Sequence, residues 1–359
     1  GEGFLLINEL ALEDYLRFVV PSEMPASYPA EALKAQAVCA RTYAYMHMLH
    51  AGLQNYGAHV DDSAAFQVYN NIAEASETSE AVYETKGQML LSGGTPVTAY
   101  FYSTSCGYGT DLTAWNLTYG DEMAATGGYL RARNIAKGQM LSDTQNPDAH
   151  SSDAQESAEG SKLAEEDSFA TFIKTADADS FEQEDTYYRW RYDTALDTEL
   201  LLANLQVRYE KSPGNIRRKK GNGYVDEKPE KLGMVTGLTA VKRTTGGVMT
   251  ELLIEGTKDS YLVCGEQNIR YVLAGENTEI ALSADYSKKG TINGMLPSSF
   301  FVIEPVFEES DVVVPEGKAE SETKRDSKRK EEKLVVVSYR LYGGGFGHGI
   351  GMSQNAARR

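Results

Sequence analysis

Residues 28–50 read Tyr28-Pro29-Ala30-Glu31-Ala32-Leu33-Lys34-Ala35-Gln36-Ala37-Val38-Cys39-Ala40-Arg41-Thr42-Tyr43-Ala44-Tyr45-Met46-His47-Met48-Leu49-His50, and this stretch decides how the chain begins to fold. Proline is acceptable in a first turn, where its missing N–H would have no partner anyway. From Pro29 onward, Leu33, Ala37, Ala40, Ala44 and Met48 recur at spacings of 3 and 4. That period predicts a helix over 29–50 with one apolar stripe. Lys34 and Arg41 border one edge of the stripe, and Gln36, Tyr43 and His47 the other. Small residues let such a helix pack closely while its polar borders aim into a neighbouring cleft. Upstream, Leu12–Val20 predicts a short amphipathic helix, and Pro21-Ser22-Glu23-Met24-Pro25 a turn bracketed by two prolines.

Downstream the pattern changes. Residues 82–110 read as β structure, with Val97–Tyr102 as a strand after a Gly93-Gly94 turn. Several strands are expected over 235–306, with Gly246-Gly247 at a hairpin turn, and Leu334–Val337 is a further strand. The predicted organisation is a core begun by 1–135, a flexible insertion over 136–165 and a mixed helix-and-loop segment over 166–234. A β-rich lobe over 235–308 and a charged insertion over 309–333 follow, and a strand and glycine loop over 334–359 complete the core. The fold class is α+β, with the 29–50 helix packed on a sheet that contains 97–102.

With 359 residues the chain can build two or three lobes. A net charge of −17 repels phosphate backbones and argues against nucleic acid as a partner. No run of about 18 apolar residues offers a membrane span. The opening Gly-Glu-Gly, without Met or a signal peptide, reads as a trimmed sequence. Three cysteines, Cys39, Cys106 and Cys264, exclude a full disulfide framework; Cys39 suits a core thiol, and spacing leaves open whether any two pair. His47 and His50 lie three apart without an H-E-x-x-H pattern, so neither a metal nor another cofactor is expected.

Four constellations carry chemistry. Glu23 stands among Val19, Val20, Met24 and two prolines. It is either a solvated turn residue or a carboxyl whose apolar surroundings raise its pKa and suit it to proton donation. Gly343 to Gln354 holds six glycines by Gly351 and the single His348. The loop is either a structural cap for a following helix or a close approach to a ligand. It is neither G-x-G-x-x-G nor a phosphate loop. Tyr100–Gly107 runs a strand into Ser103, Thr104 and Ser105, hydroxyls beside aromatics that suit sugars or an ordinary strand end. No G-x-S-x-G elbow makes either serine a nucleophile. In Phe66-Gln67-Val68-Tyr69, extended backbone would put Gln67 and Tyr69 on one side.

Together these segments resemble the stage II sporulation protein D family. The similarity runs through Leu12–Leu16, Val20–Pro25, Glu31–Val38 and Ala40–Tyr43, then Gln67–Tyr69, Ser103–Ser105 and Gly347–Gln354 in the family's order, over about 3–130 and 235–359. The resemblance implies a lytic transglycosylase that cuts MurNAc–GlcNAc bonds of peptide-free peptidoglycan strands to 1,6-anhydro products. It also implies an extracytoplasmic protein held to the membrane by an anchor that this sequence lacks. A cell-wall amidase and other membrane-anchored sporulation proteins are the implied protein partners. Its catalytic glutamate falls on Glu23. Lys34, Gln36, Arg41, Gln67, Tyr69, Ser103, Ser105, His348 and Gln354 are expected to line the surrounding cleft, with His348 within roughly 10 Å of the Glu23 carboxylate. Two departures are visible. Tyr102 stands where many relatives have histidine, and Val60 and Phe66 stand where some carry zinc-binding cysteines. A non-catalytic glycan-binding modifier of an amidase, and an adhesion protein with a purely structural glycine loop, are the competing readings.

Overall fold

The computed structural model describes residues 5–50, 53–63, 66–115, 128–135, 162–175, 179–313 and 330–359. The fold is α+β. Its N-terminal layer is three helices, α1 (Leu12–Glu23), α2 (Ala30–His50) and α3 (Ser76–Glu84). Leu16, Val19 and Val20 of α1 close on Ala37 and Ala40 of α2 and Val82 of α3. Ala37 and Ala40 put only methyl groups into this contact. The expected stripe is wider than a pure apolar line, because Gln36, Arg41 and Thr42 are also buried, and it stops early, because Met48 is 45% exposed.

Helix α1 runs through Pro21 to Glu23, where a turn was expected. Proline cannot donate to the residue four back. In a last turn that removes one bond, and Ser22 Oγ donates to the Phe18 carbonyl at 2.7 Å to hold the turn. Glu23 is therefore the final residue of a helix rather than the tip of a loop.

The expected 97–102 strand is short. After a hairpin of β1 (Leu91–Ser92) and β2 (Thr95–Pro96), only β3 (Phe101–Tyr102) is paired. Gly93 and Gly94 both have positive φ, as a two-residue hairpin turn requires. The partner of β3 is the chain's last strand, β14 (Met352–Ser353), in parallel. Helix α2 does pack on this region, with Cys39 against Val97 and Ala99. The sheet beneath it has two strands; the larger sheets lie elsewhere.

Among the described residues, the remaining strands form two five-stranded sheets. One is built from β5 (Ile216–Lys220), β6 (Gly223–Val225), β7 (Val235–Arg243), β8 (Met249–Gly256) and β9 (Tyr261–Cys264), in spatial order β6-β5-β9-β8-β7. The other orders as β11-β10-β4-β13-β12, from β4 (Trp190–Thr194), β10 (Thr278–Leu282), β11 (Lys288–Ile292), β12 (Phe301–Val313) and β13 (Lys330–Gly343). The strands expected as one lobe over 235–308 thus divide between two sheets, and 166–234 contributes three strands of its own. The β12–β13 pair extends into the stretch expected as a charged insertion; residues 314–329 and 136–161 lie outside the described residues. Helices α5 (Thr198–Lys211) and α6 (Glu266–Leu273) share one core with both sheets, centred on Trp190, Ile254, Tyr261, Ile269 and Phe301. Asp197 caps α5 by accepting from the Glu199 and Leu200 amides.

The β7–β8 hairpin turns at Gly246-Gly247 as expected, and its tip is a joint between layers. A Cβ at Gly247, whose φ is +96°, would fall into the Phe169 ring of α4 (Glu166–Lys174). Beside it Arg243 forks onto Glu166, and Thr244 and Thr245 bond Thr110 and Asp111.

Candidate active site

The site grows from the C-terminal end of α1. Val19 and Val20 are fully buried and Met24 is 1% exposed, which leaves Glu23 half-buried at the helix end. Burial pushes its carboxyl above the usual range, against the opposing pull of the Val68 amide and the Gln354 side chain. The helix end adds partial negative charge from its free carbonyls, which also disfavours a carboxylate.

Residues 67–70 are pinned alongside. The Val68 N–H donates to Glu23 Oε1 at 2.6 Å, and the Asn70 N–H donates to Ser22 Oγ at 3.1 Å. Alternate amides of an extended segment thus meet adjacent side chains of α1. Gln67 is fully buried, with its amide donating to the Ala40 carbonyl at 3.2 Å and its oxygen accepting from the Tyr15 hydroxyl at 3.4 Å. Tyr69 stacks on Tyr15 with ring centroids 5.8 Å apart. Burial raises the pKa values of both the Tyr15 and Tyr43 hydroxyls, followed by the Glu23 charge for Tyr15 and by Tyr100 and then Glu23 for Tyr43, so both phenols near the carboxyl are neutral.

The chain's other end closes the site. Gln354 Nε2 donates to the Glu23 carbonyl at 3.2 Å and to Gln36 Oε1 at 3.3 Å. Asn355 Nδ2 donates to Thr104 Oγ1 at 2.8 Å, and its amide donates to the Ser103 carbonyl at 3.0 Å. Its side chain also accepts from Tyr28, in the connection between α1 and α2. Residues 331 positions apart in sequence therefore share one site.

The glycine loop makes that return possible, and the glycines serve the protein's own packing. Gly351 has φ +82°, and a Cβ there would overlap the Tyr100 carbonyl. The loop lies against the 100–110 strap through reciprocal Thr104–Phe346 backbone bonds and the Thr110 amide on the Gly349 carbonyl. His348 is held as a neutral ring. Its Nδ1 accepts from the Ile350 amide at 3.1 Å, and the Phe101 carbonyl takes the other bond. Desolvation, then the Arg270 charge, lower its pKa to about 4. Tyr100, Tyr102 and Trp115 surround it, the nearest, Trp115, at 5.2 Å between centroids. Tyr100 in turn meets Tyr43 at 5.8 Å, so a row of rings connects His348 to the tyrosine facing Glu23. Both ring nitrogens are thus engaged by backbone groups.

Other expected cleft residues have different surroundings. Arg41 is 1% exposed, and its guanidinium bonds both Glu13 oxygens at 2.9 Å and the Val82 and Gln88 carbonyls. It braces α1, α2 and the loop after α3. Lys34 pairs with Glu31 and Glu84 in a groove of about 620 Å³ between α2 and α3, also lined by Val38, Thr85 and Gln88; Glu23 does not line it. Ser103 is half-buried beside Thr104, whereas Ser105 is 1% exposed and bound to Glu182. Glu182 escaped sequence reasoning because Phe181-Glu182-Gln183-Glu184-Asp185 looks like a solvated acidic run. Cys39, Cys106 and Cys264 are free and buried.

Residues 1–91 match the family described as "Stage II sporulation protein". Relatives include "Stage II sporulation protein D" of Bacillus subtilis, 37% identical over 123 residues, which are 30% of this chain and 36% of that protein. The "Amidase enhancer" of the same organism is 45% identical over 93 residues, 26% of this chain and 12% of the relative. An uncharacterized protein of Brachyspira hyodysenteriae is 38% identical over 112 residues, 31% of this chain and 30% of that protein. The matched part thus spans about a third or less of each relative.

Proposed function

We propose, for a chain that belongs through residues 1–91 to the stage II sporulation protein D family, that it is a lytic transglycosylase of peptide-free peptidoglycan strands acting outside the cytoplasmic membrane. One observation carries the reading. Glu23 is a half-buried carboxyl with a raised pKa, fixed by one backbone amide and flanked by neutral phenols. Such a group is proton-loaded closer to neutral pH than a surface glutamate and can protonate the glycosidic oxygen between MurNAc and GlcNAc.

The bond between C1 and that oxygen then breaks as the C6 hydroxyl of the same MurNAc attacks C1. Its proton passes to the Glu23 carboxylate, which restores the carboxylic acid. An ordinary glycosidase needs a second carboxylate for a water or a covalent intermediate; an internal hydroxyl removes that need. The neutral phenols of Tyr15 and Tyr43 supply hydrogen bonds for sugar hydroxyls without adding charge beside Glu23. The fixed rings of Tyr100 and His348 extend the same wall.

The similarity to an amidase enhancer supports a second reading, a non-catalytic glycan-binding activator of a cell-wall amidase. Mass spectrometry of products separates the two. Incubation with peptide-free strands should yield fragments ending in 1,6-anhydro-MurNAc, one water lighter than hydrolytic fragments, and peptide-bearing strands should be cut poorly. Intact strands, together with faster peptide release by an added amidase, would reject the catalytic reading in favour of the second. Reducing-end fragments would show hydrolysis instead.

A further inference from the structure

Glu182 is fully buried and takes no part in the proton transfer just described. Its Oε1 accepts from the Ser105 amide at 2.9 Å and from Ser353 Oγ at 2.6 Å, and its Oε2 meets Ser105 Oγ. One carboxyl thereby joins three separate segments: 179–185, the 103–107 strap, and the C-terminal strand. Ser353 directly precedes Gln354, the side chain that reaches the Glu23 carbonyl and Gln36. We propose that Glu182 is a positioning residue for the Glu23 site: its carboxyl clips Ser353 to the Ser105 strap and so holds Gln354 against the end of α1. The functional part of this statement rests on the reading of Glu23 given above; the clip itself does not.

The surroundings make the clip sensitive to charge. Among the described residues no cation pairs with Glu182. Arg358 goes to Asp185, and the Arg189 guanidinium goes to the Cys106 and Tyr188 carbonyls. The titratable groups facing it are Asp185, Tyr102, Cys106 and Tyr28, none of which supplies positive charge. Burial accordingly pushes its carboxyl up to about 7, although Ser105 and Ser353 pull it down. A folded pKa raised from 4.5 means that the stabilisation is complete below 4.5 and is lost as pH rises through about 7. A glutamine at 182 would mimic the protonated form, accepting from Ser353 and donating to Ser105 Oγ.

Hydrogen exchange tests this independently of catalysis. The Met352 and Asn355 amides donate to the Tyr100 and Ser103 carbonyls and report C-terminal docking. In Glu182→Ala they should exchange about tenfold to a hundredfold faster than in the native protein at pH 6, with α2 amides unchanged. Glu182→Gln should keep native protection at pH 6 and retain it at pH 8. There the native protein should have lost protection beyond the intrinsic rise in exchange rate. Ser353→Ala removes one tie alone and should fall between, so a Glu182→Ala protein that fails to fold does not end the test. Unchanged protection in Ser353→Ala and in native protein between pH 6 and pH 8 would overturn the proposal, as would Glu182→Gln behaving like Glu182→Ala. If strands are cut, Glu182→Ala should lower kcat with KM little changed and Glu182→Gln should restore it. Absence of cleavage by the native protein would instead reject the functional reading and leave the exchange result standing.

Discussion

Replacing Glu23 by glutamine leaves the protein folded and lowers the rate of strand cleavage by about 10²–10⁴-fold, the usual contribution of a positioned general acid. Glutamine keeps the oxygen that accepts from the Val68 amide, so residues 67–70 stay pinned to α1. What it lacks is the proton. The effect on stability has the opposite sign. A carboxyl with a raised folded pKa contributes stability below its unfolded value of 4.5 that is lost as pH rises through the folded value. Glutamine carries no such loss, so the variant should be as stable as the native protein, or slightly more so, at neutral pH. Single-turnover cleavage rates and thermal denaturation of the same samples check both halves. Activity within about tenfold of native would remove Glu23 from the acid role.

The largest expected loss of stability falls on Arg41. Arg41→Met should destabilise by about 1–3 kcal/mol, the cost of leaving the carbonyls that Arg41 caps without a donor, with Glu13, 28% exposed, losing its partner as well. The guanidinium is 1% exposed and makes a two-pronged bond to Glu13 while capping the Val82 and Gln88 carbonyls. No single ammonium can reproduce that fork, so Arg41→Lys should recover only part of the loss. Burial would raise the Glu13 pKa, but the Arg41 bonds and charge outweigh it and the net shift is downward. The stabilisation is therefore present above 4.5 and lost as pH falls through the folded value. Urea denaturation should show a lower midpoint with an unchanged slope at neutral pH, and a narrowing gap between variant and native protein in acid. A loss under about 1 kcal/mol would mean that Arg41 is not a brace.

The legible and illegible parts of the sequence differ in how local their causes are. Helix α2 was readable because the Pro29 entry and the alanine spacing are local signals. The half-buried setting of Glu23 was readable because its apolar neighbours lie beside it in sequence; its proposed role came from the family resemblance. The Pro21 turn was misread because proline's cost in a helix depends on position, and a last turn tolerates it. Gln36 and Arg41 look like cleft residues on a helical wheel, as Gln67 does beside Tyr69 on extended backbone. Only tertiary contacts from Glu13, Gln88, Ala40 and Gln354 show that they are buried and bonded. The 97–102 strand had the right composition, but pairing needs a partner, and among the described residues only Met352-Ser353 supplies one. Glu182 carried no signal at all, since its partners lie 77 and 171 positions away.

A carboxyl held ready to give up a proton titrates above the ordinary glutamate range. Carbon-13 NMR titration of the glutamate side-chain carboxyls, with the Glu23 resonance assigned by its absence from Glu23→Gln, measures that property at the residue itself. The midpoint is expected above 4.5. A midpoint at or below 4.5 in the native protein would contradict the acid role of Glu23.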